Sequence, residues 1–550
     1  MKGNDIVRRF NALVSTRRTL DSVLQDIEEY VVPYRGEFYQ GMTSEGEVDW
    51  NRANIFDNTA GVGVDQLASQ MHGNVTSSVT KWFRLRFRDE DMNTDQAAKE
   101  WLEDAEDKTY QAIQQSNFDT TAPEMYLDIA AFGTSLVTME DKNDLKWDGV
   151  TFNALPLMDS YFEMGPDDIP YRVYRLLRYT QMELEDTFDL PRKLKERKKE
   201  DTSVDIKHEV IFCIYREPEN ATEVTDKLLA PDMRPTQWRY VDKRTGIELK
   251  LHGQKKAEGG YYDFPAMVVR WKKVAGSRWG YSPVMVLIAE IKQLNLLVEM
   301  TTEAAAKEID PPLKTSDRGI VGDLDNVAGG LTIVSEMDEL QPLLPHSNFT
   351  VAQMEYQRAH DQINAGLYVD RLDLPNARAM TATEVQIRYD RILRLLAVTM
   401  GRLKVDFLDP VVEGVFNKLL RAGQLDELPE SLSQADLDIE YTGPLPRALK
   451  GEVADGMERW LMGVMQQVEL NPDSLDIVDF DQFNRTMAEQ RGTPAKCLNT
   501  DDEVKEVRAE RQEQQQQMQE AQQVQMGGEA AKAAGEGAQA LQAANLEAVQ

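Results

Sequence analysis

Five histidines, His72, His208, His252, His346 and His360, are the side chains best suited to proton transfer or metal ligation in this sequence. None belongs to an HExxH or other paired spacing that would put two imidazoles on one helix face for a divalent cation. The cysteines, Cys213 and Cys497, lie far apart without a CxxC partner, so they read as small buried apolar residues. The GVG at Gly61–Gly63 falls short of GxGxxG and reads as helix packing or a local bend, and no GxxxxGK[ST] is present to cradle a phosphate. Acidic groups such as Asp89, Glu90 and Asp91, or Asp501, Asp502 and Glu503, are expected in a chain with 94 carboxylates and read as solvated charge. These residues point to a non-enzyme with no catalytic, cofactor-binding or metal-ligating set.

A different chemistry is suggested by RLDLPNARAM, a polar loop carrying Arg371, Asp373, Asn376 and Arg378. It is basic in a chain with 62 Lys and Arg against 94 Asp and Glu, a formal net charge of -32. Tight static binding of a nucleic acid needs basic surface that releases counterions, and this balance argues against it. A mostly repulsive wall with a few basic points would instead let a polyanion slide. Thr381 and Glu384 form a capping box directly after the loop, so a helix starts there. That helix carries Arg388, Arg391 and Arg394 at steps of three, placed to meet either a polyanion or acidic neighbours.

The elements that must position these residues follow from periodicity. With 550 residues, 41% hydrophobic and 28% charged, the chain is long enough for several regions. It has no stretch of about 18 apolar residues and no signal-type N-terminus, which predicts no membrane span and an origin in the cytosol. Helices are expected at residues 4–31, 58–72, 95–116 and 123–132. Short β-rich runs fill 135–271, interrupted by the charged helix LPRKLKERKKED, which makes the region α+β. Ser282 as N-cap and Pro283 open a long helix ended by Pro311 and Pro312. Its stripe, Val284, Leu287, Ile291, Leu294 and Val298, steps by three and four. A small strand unit over 311–349 and a returning helix follow, and after the loop a helix runs to Gly423, with Pro410 forcing a kink or break. Past residue 500 the chain is rich in Gln and Ala and cannot build a core alone.

Several stretches, in order, resemble the head-to-tail connecting (portal) proteins of short-tailed bacteriophages. They are RRTLDSVLQDIEEYVVPYRGEF, NIFDNTAGVGVDQLASQMHGNVTSSVTKWFRL, AAFGTSLVTME, YRVYRLLRYTQMELEDTF, RWKKVAGSRWGYSPVMVLIAEIKQLN, MTATEV and YTGPLPRA. The resemblance implies a predominantly helical α+β portal fold assembling into a ring, typically of twelve copies, at one capsid vertex in the virion. It implies a wing (1–281), a stem helix (282–310), a clip (311–349), a second stem helix (350–370) and a tunnel loop (371–381). A long kinked wing helix (382–445), a crown (446–500) and a C-terminal tail (501–550) complete the plan. Partners implied are passing double-stranded DNA, held weakly and without sequence preference, the major capsid protein, the terminase motor, tail adaptor proteins and scaffolding or internal core proteins. In such a ring the 284–298 stripe would be buried between neighbouring subunits; alternatively it is the ordinary core face of one chain. The loop and the Arg388 series become candidate basic rings in an acidic tunnel, with inter-subunit ion pairs as the alternative. Competing readings are a capsid adaptor or scaffold that conducts no DNA, and a nuclease with a carboxylate metal cluster.

Overall fold

The structure, a computed structural model, describes residues 1–34, 55–78, 81–88, 96–142, 147–191, 208–217, 229–253, 256–314, 341–342, 349–369, 398–426, 437–441, 456–467, 476–490, 499 and 503–518. The chain divides into two units: residues 1–86, 104–427 and 437–449 form one, and residues 87–103, 428–436 and 450–550 the other.

In the first unit, α1 (Gly3–Tyr30) buries Ile6, Phe10, Leu24 and Ile27, the helical stripe expected from sequence. Ile6 and Phe10 pack among Tyr161, Tyr174, Leu176, Ile211, Cys213 and Val241 of the main sheet. Arg17, 3% exposed, crosses from the same helix to donate to the carbonyls of Leu157 (2.7 Å) and Ser160 (2.9 Å) and to pair with Asp21 (2.6 Å). A buried guanidinium is tolerable only when its donors are satisfied in this way. Next come α2 (Thr59–Val75), β1 (Phe83–Phe87), α3 (Gln96–Gln114) and α4 (Phe118–Phe132). α4 starts five residues before the expected Pro123.

The β-rich region forms two antiparallel sheets. β2 (Thr134–Asp141) is flanked by β3 (Val150–Leu155) and β11 (Ala266–Arg270). The larger sheet holds β4 (Ser160–Met164), β5 (Pro170–Tyr179), β6 (Phe188–Asp189), β7 (His208–Arg216), β8 (Thr236–Asp242), β9 (Glu248–Leu251) and β10 (Glu258–Tyr261). Its order is β4-β5-β7-β8-β9-β6, with β10 also on β8. A short helix, α5 (Gln181–Thr187), is started by a capping box between Thr180 and Glu183. Most of LPRKLKERKKED lies outside the described residues.

Two glycines join this region to the helices beyond it. Gly133 closes α4 at φ +75°, and a Cβ on Gly280 would lie 2.0 Å from the Gly133 carbonyl oxygen. Only glycine allows the two backbones to meet there. The long helix α6 (Pro283–Ile309) then starts as read from sequence: the Ser282 hydroxyl accepts from the Met285 N–H (3.0 Å). The same hydroxyl donates to the Ala131 carbonyl (2.7 Å), anchoring α6 to the end of α4.

At its far end, β12 (Leu313–Lys314) pairs antiparallel with β13 (Gln341–Pro342), and α7 (Phe349–Gly366) returns along α6. Helical residues 398–403 lead through a π-turn (Lys404–Leu408) into α8 (Asp409–Arg421). Pro410 thus interrupts the α ladder, and the break takes the form of a widened turn just before it. Aromatic rings tie this turn to the core: Phe407 stacks on Phe118 (5.9 Å), Phe118 on Trp82 (6.0 Å) and Trp82 on Tyr441 (6.3 Å). Tyr441 ends β14 (Leu437–Tyr441), which pairs with β1.

The second unit is helical over residues 456–467, α9 (Phe480–Gln490) and 503–518. Trp460 meets Phe483 (ring centroids 6.4 Å apart), and Arg508 pairs with Asp481 (2.6 Å).

Candidate functional site

Two features of the first unit invite a functional reading, and the first is the α6–α7 hairpin. Of the expected stripe, Val284 (0% exposed), Ile291 (4%) and Leu294 (0%) are buried within one chain, while Leu287 and Val298 are half-buried. The cover comes from the chain's own α7, α1 and α4. Gly366 sits so close to α6 that a Cβ there would lie 2.6 Å from Leu287 Cδ1. Beside the stripe, the buried Asn295 side chain accepts from the Phe56 and Asp57 N–H groups at 2.7 and 3.2 Å. The expectation that a neighbouring subunit buries this stripe is therefore corrected for Val284, Ile291 and Leu294, which are the ordinary core face.

Sequence reading missed a second seam on α6. Val286, Ala289, Gln293, Leu296 and Met300 also step by three and four, and all five are exposed. Val286, Leu296 and Met300 are 56%, 54% and 60% exposed, and α7 adds Val351 (55%) and Met354 (69%). A helix that is apolar on two faces but covered on one presents the other for burial. The signal was present in the sequence, since both seams obey the same spacing, but spacing does not say which one faces the chain's own core.

The second feature is a charge cluster at the π-turn. The fully buried Arg270 donates Nε–H to Asp406 Oδ2 (3.0 Å) and Nη2–H to Asp406 Oδ1 (3.1 Å), a two-point fork. Its Nη1–H reaches Asp168 Oδ1 (3.1 Å), which also pairs with Lys273 (2.7 Å). Arg402 bridges both carboxylates, through Nε to Asp406 (2.9 Å) and through Nη2 to Asp168 (2.5 Å). Burial pushes the Asp406 carboxyl up to about 7, against the opposing pull of Arg402. Burial would raise Asp168 too, but hydrogen bonds from Lys273 and Arg402 hold it below the usual carboxylate range. Asp168 sits in the left-handed region at φ +64°, a strained conformation for a residue with a Cβ. Asp168 and Lys273 also line a polar cleft of about 550 Å³ with Arg9, Glu163 and Arg278.

The remaining expectations are placed as follows. Arg371, Asp373, Asn376, Arg378, the capping box and Arg388, Arg391 and Arg394 lie outside the described residues, as do His346 and Cys497. Cys213 is buried in the main sheet, which pushes its thiol up. His72 is held below its usual 6.5 by burial, and His252 is raised chiefly by its hydrogen bond to the Glu185 carbonyl. Among the described residues no group of three or more His, Cys, Asp or Glu side chains could hold a metal ion, and no helix is long and apolar enough to cross a membrane.

A helical hairpin raised from a mixed α and β body, with one seam spent on its own core and another left open, is the build of a subunit that assembles with others. The chain belongs to the bacteriophage head to tail connecting proteins, whose family model matches residues 4–498. It is 25% identical over 521 residues to a probable portal protein of Bordetella phage BPP-1, covering 91% of this chain and 89% of that one. It is 24% identical over 518 residues to the portal protein of Salmonella phage epsilon15, covering 91% and 90%.

Proposed function

We infer that this chain is a portal protein: copies of it form a ring at one capsid vertex, through which double-stranded DNA is packaged and ejected, and on which the packaging motor and then the tail dock. Membership of the head to tail connecting family over residues 4–498 supports this class. The observation that carries the ring geometry is the open seam of α6.

The open seam has a partner of matching height on the same chain. Gly366 of α7 lies against Leu287 of α6, and the two helices run antiparallel from the β12–β13 pair. Met300 is 13 residues beyond Leu287 and Met354 is 12 residues before Gly366. At about 1.5 Å per residue both stand roughly 18–20 Å along the hairpin. A ring needs a heterologous contact, in which one face of a subunit meets a different face of the next. With hairpins side by side, the Val286–Met300 seam of one copy meets the Val351 and Met354 face of its neighbour.

In this reading α6 and α7 are the stem, residues 311–349 the clip, 371–381 the tunnel loop and 446–500 the crown. A ring of subunits at -32 each presents an acidic wall to which DNA does not adhere. Arg371 and Arg378, or Arg388, Arg391 and Arg394, supply sparse basic points. Capsid, terminase and tail adaptor proteins are the partners, and the role is that of conduit and platform rather than catalyst.

The test combines microscopy with cross-linking. Chains carrying Met300→Cys are mixed with chains carrying Met354→Cys, both in a Cys497→Ser background, assembled and oxidised. Rings with a central hole and a disulfide joining the two chain types are expected. Rings without the disulfide refute the stem contact and leave the ring; compact monomers or solid particles refute the portal itself.

A further inference from the structure

The polar cleft beside the charge cluster is walled by three pieces of chain: α1 with Arg9 and Leu13, the end of β4 and the turn into β5 with Glu163 and Asp168, and the loop from β11 to α6 with Lys273 and Arg278. That loop is held in one shape. It folds back on itself through bonds from the Ser277 N–H to the Val274 carbonyl (3.0 Å) and from the Tyr281 N–H to the Lys272 carbonyl (2.8 Å). Gly276 takes φ +85° near its tip, a conformation that suits glycine. Trp279 pins the loop to the sheet, meeting Phe162 edge-on with ring centroids 4.4 Å apart. The two carboxylates of the cleft are already engaged. Glu163 accepts from Arg172 (2.6 Å) and Arg9 (3.4 Å), and Asp168 from Arg270, Lys273 and Arg402. Asp167, on the same turn, interacts with Arg216 and does not line the cleft. With Asp406 included, the carboxylates Glu163, Asp168 and Asp406 face Arg9, Arg172, Arg270, Lys273, Arg278 and Arg402, a local positive excess in a chain of net charge -32. Arg278 is exposed on the cleft wall and has no ion-pair partner among the described residues. At about 550 Å³ the cleft is far larger than one small ion needs, and a basic concavity of this size suits an acidic stretch of polypeptide.

We propose that this cleft receives an acidic segment of the neighbouring copy in the ring, so that a charged contact on the body accompanies the apolar contact on the stem. The proposal rests on the ring reading given above. Two observations name a second copy as the occupant. The first is continuity with the open seam: Arg278 lies four residues before Ser282, the N-cap of α6, and the exposed residues run in chain order from Val274 (56%) through Arg278 and Tyr281 (41%) to Val286, where the seam begins. The second is charge. A chain with 94 acidic against 62 basic side chains repels its own copies over most of its surface, and a basic cleft is where an acidic neighbour is accepted. The cleft also supplies what the seam lacks. Apolar residues at steps of three and four can slide past a similar face by one turn, whereas a charged contact fixes the register between subunits.

The test uses the full-length chain. Arg278→Lys keeps the charge and adds a primary amine; chains carrying it are grown with light or heavy nitrogen, mixed before assembly and treated with a zero-length carbodiimide, which joins an amine to a carboxylate in direct contact. A cross-linked peptide from position 278 that combines a light and a heavy half is expected in rings and not in monomers. Alongside, Arg278→Glu is expected to lower the ring yield about tenfold or more, because a like charge replaces the attraction. The unfolding midpoint of the unassembled chain stays where it was, since the side chain is exposed. Rings in which position 278 links only within one chain, or not at all, overturn the proposal, and so does Arg278→Glu assembling like the unchanged chain. Normal Arg278→Glu rings that fail to enter capsids give the cleft to another virion protein and overturn it too. If the unchanged chain forms no rings, the ring reading falls and this contact with it. If Arg278→Glu does not fold, Arg278→Ala is read in the same way.

Discussion

Replacing Leu294 by alanine separates a core role from an assembly role for the α6 stripe. Leu294 is 0% exposed in one chain, flanked by the buried Ile291 and Asn295. The change deletes three carbons, about 2.4 kcal/mol at roughly 0.8 kcal/mol for each buried methylene. The void left in the core adds to this, so the total loss is about 3–4 kcal/mol, within the range seen for fully buried leucines. Met300 is the matched control: at 60% exposure it has little to lose in the isolated chain, and Met300→Ala changes monomer stability by about 0.5 kcal/mol or less. The assay is urea unfolding of unassembled protein followed by tryptophan fluorescence, alongside the yield of rings by sedimentation. Leu294→Ala should shift the unfolding midpoint strongly, whereas Met300→Asp should spare the midpoint and abolish rings. If Leu294→Ala left the monomer intact and blocked only assembly, the stripe would be inter-subunit after all and the burial argument would fail.

Two further outcomes are expected. Arg371→Ala combined with Arg378→Ala should leave ring assembly unchanged while altering the length of packaged genome or its retention; normal values of both would remove the loop from the DNA path. His72, whose Nδ1 lies 3.1 Å from the Thr76 hydroxyl, is held below 6.5 by burial. Its neutral form is therefore the one the fold favours, so the stability it contributes is present above pH 6.5 and is lost as the pH falls below it. Melting temperatures taken between pH 8 and pH 5 should fall less steeply for His72→Gln than for the unchanged chain, and parallel curves would count against this origin.

What could be read from the residues depended on whether the determining interaction was local. The bounds of α6 were legible, expected at 282–310 and found at Pro283–Ile309, because Ser282, Pro283 and the Pro311–Pro312 pair act on their own neighbours. The β-rich character of 135–271 was equally plain from alternation and turns. The choice between the two seams of α6 was not, since a 3–4 repeat states that a face is apolar and not what covers it. The break at Pro410 was expected, but the π-turn was not, because a proline forbids a hydrogen bond without naming the geometry that replaces it.

The charge cluster was the least legible feature. Arg270 is 102 residues from Asp168 and 136 from Asp406 in sequence, so no spacing rule brings them together. Its one local signature is the i,i+4 pair of Arg402 and Asp406, which any exposed helix could carry. Burial gives that pair its meaning: on a surface it would contribute little, but beside the fully buried Arg270 each carboxylate becomes one that the fold cannot lose cheaply. Sequence periodicity thus locates the helices of such a subunit, while the ion pairs that join the helix before the π-turn to the β4–β5 turn come from residues that only the folded chain makes neighbours.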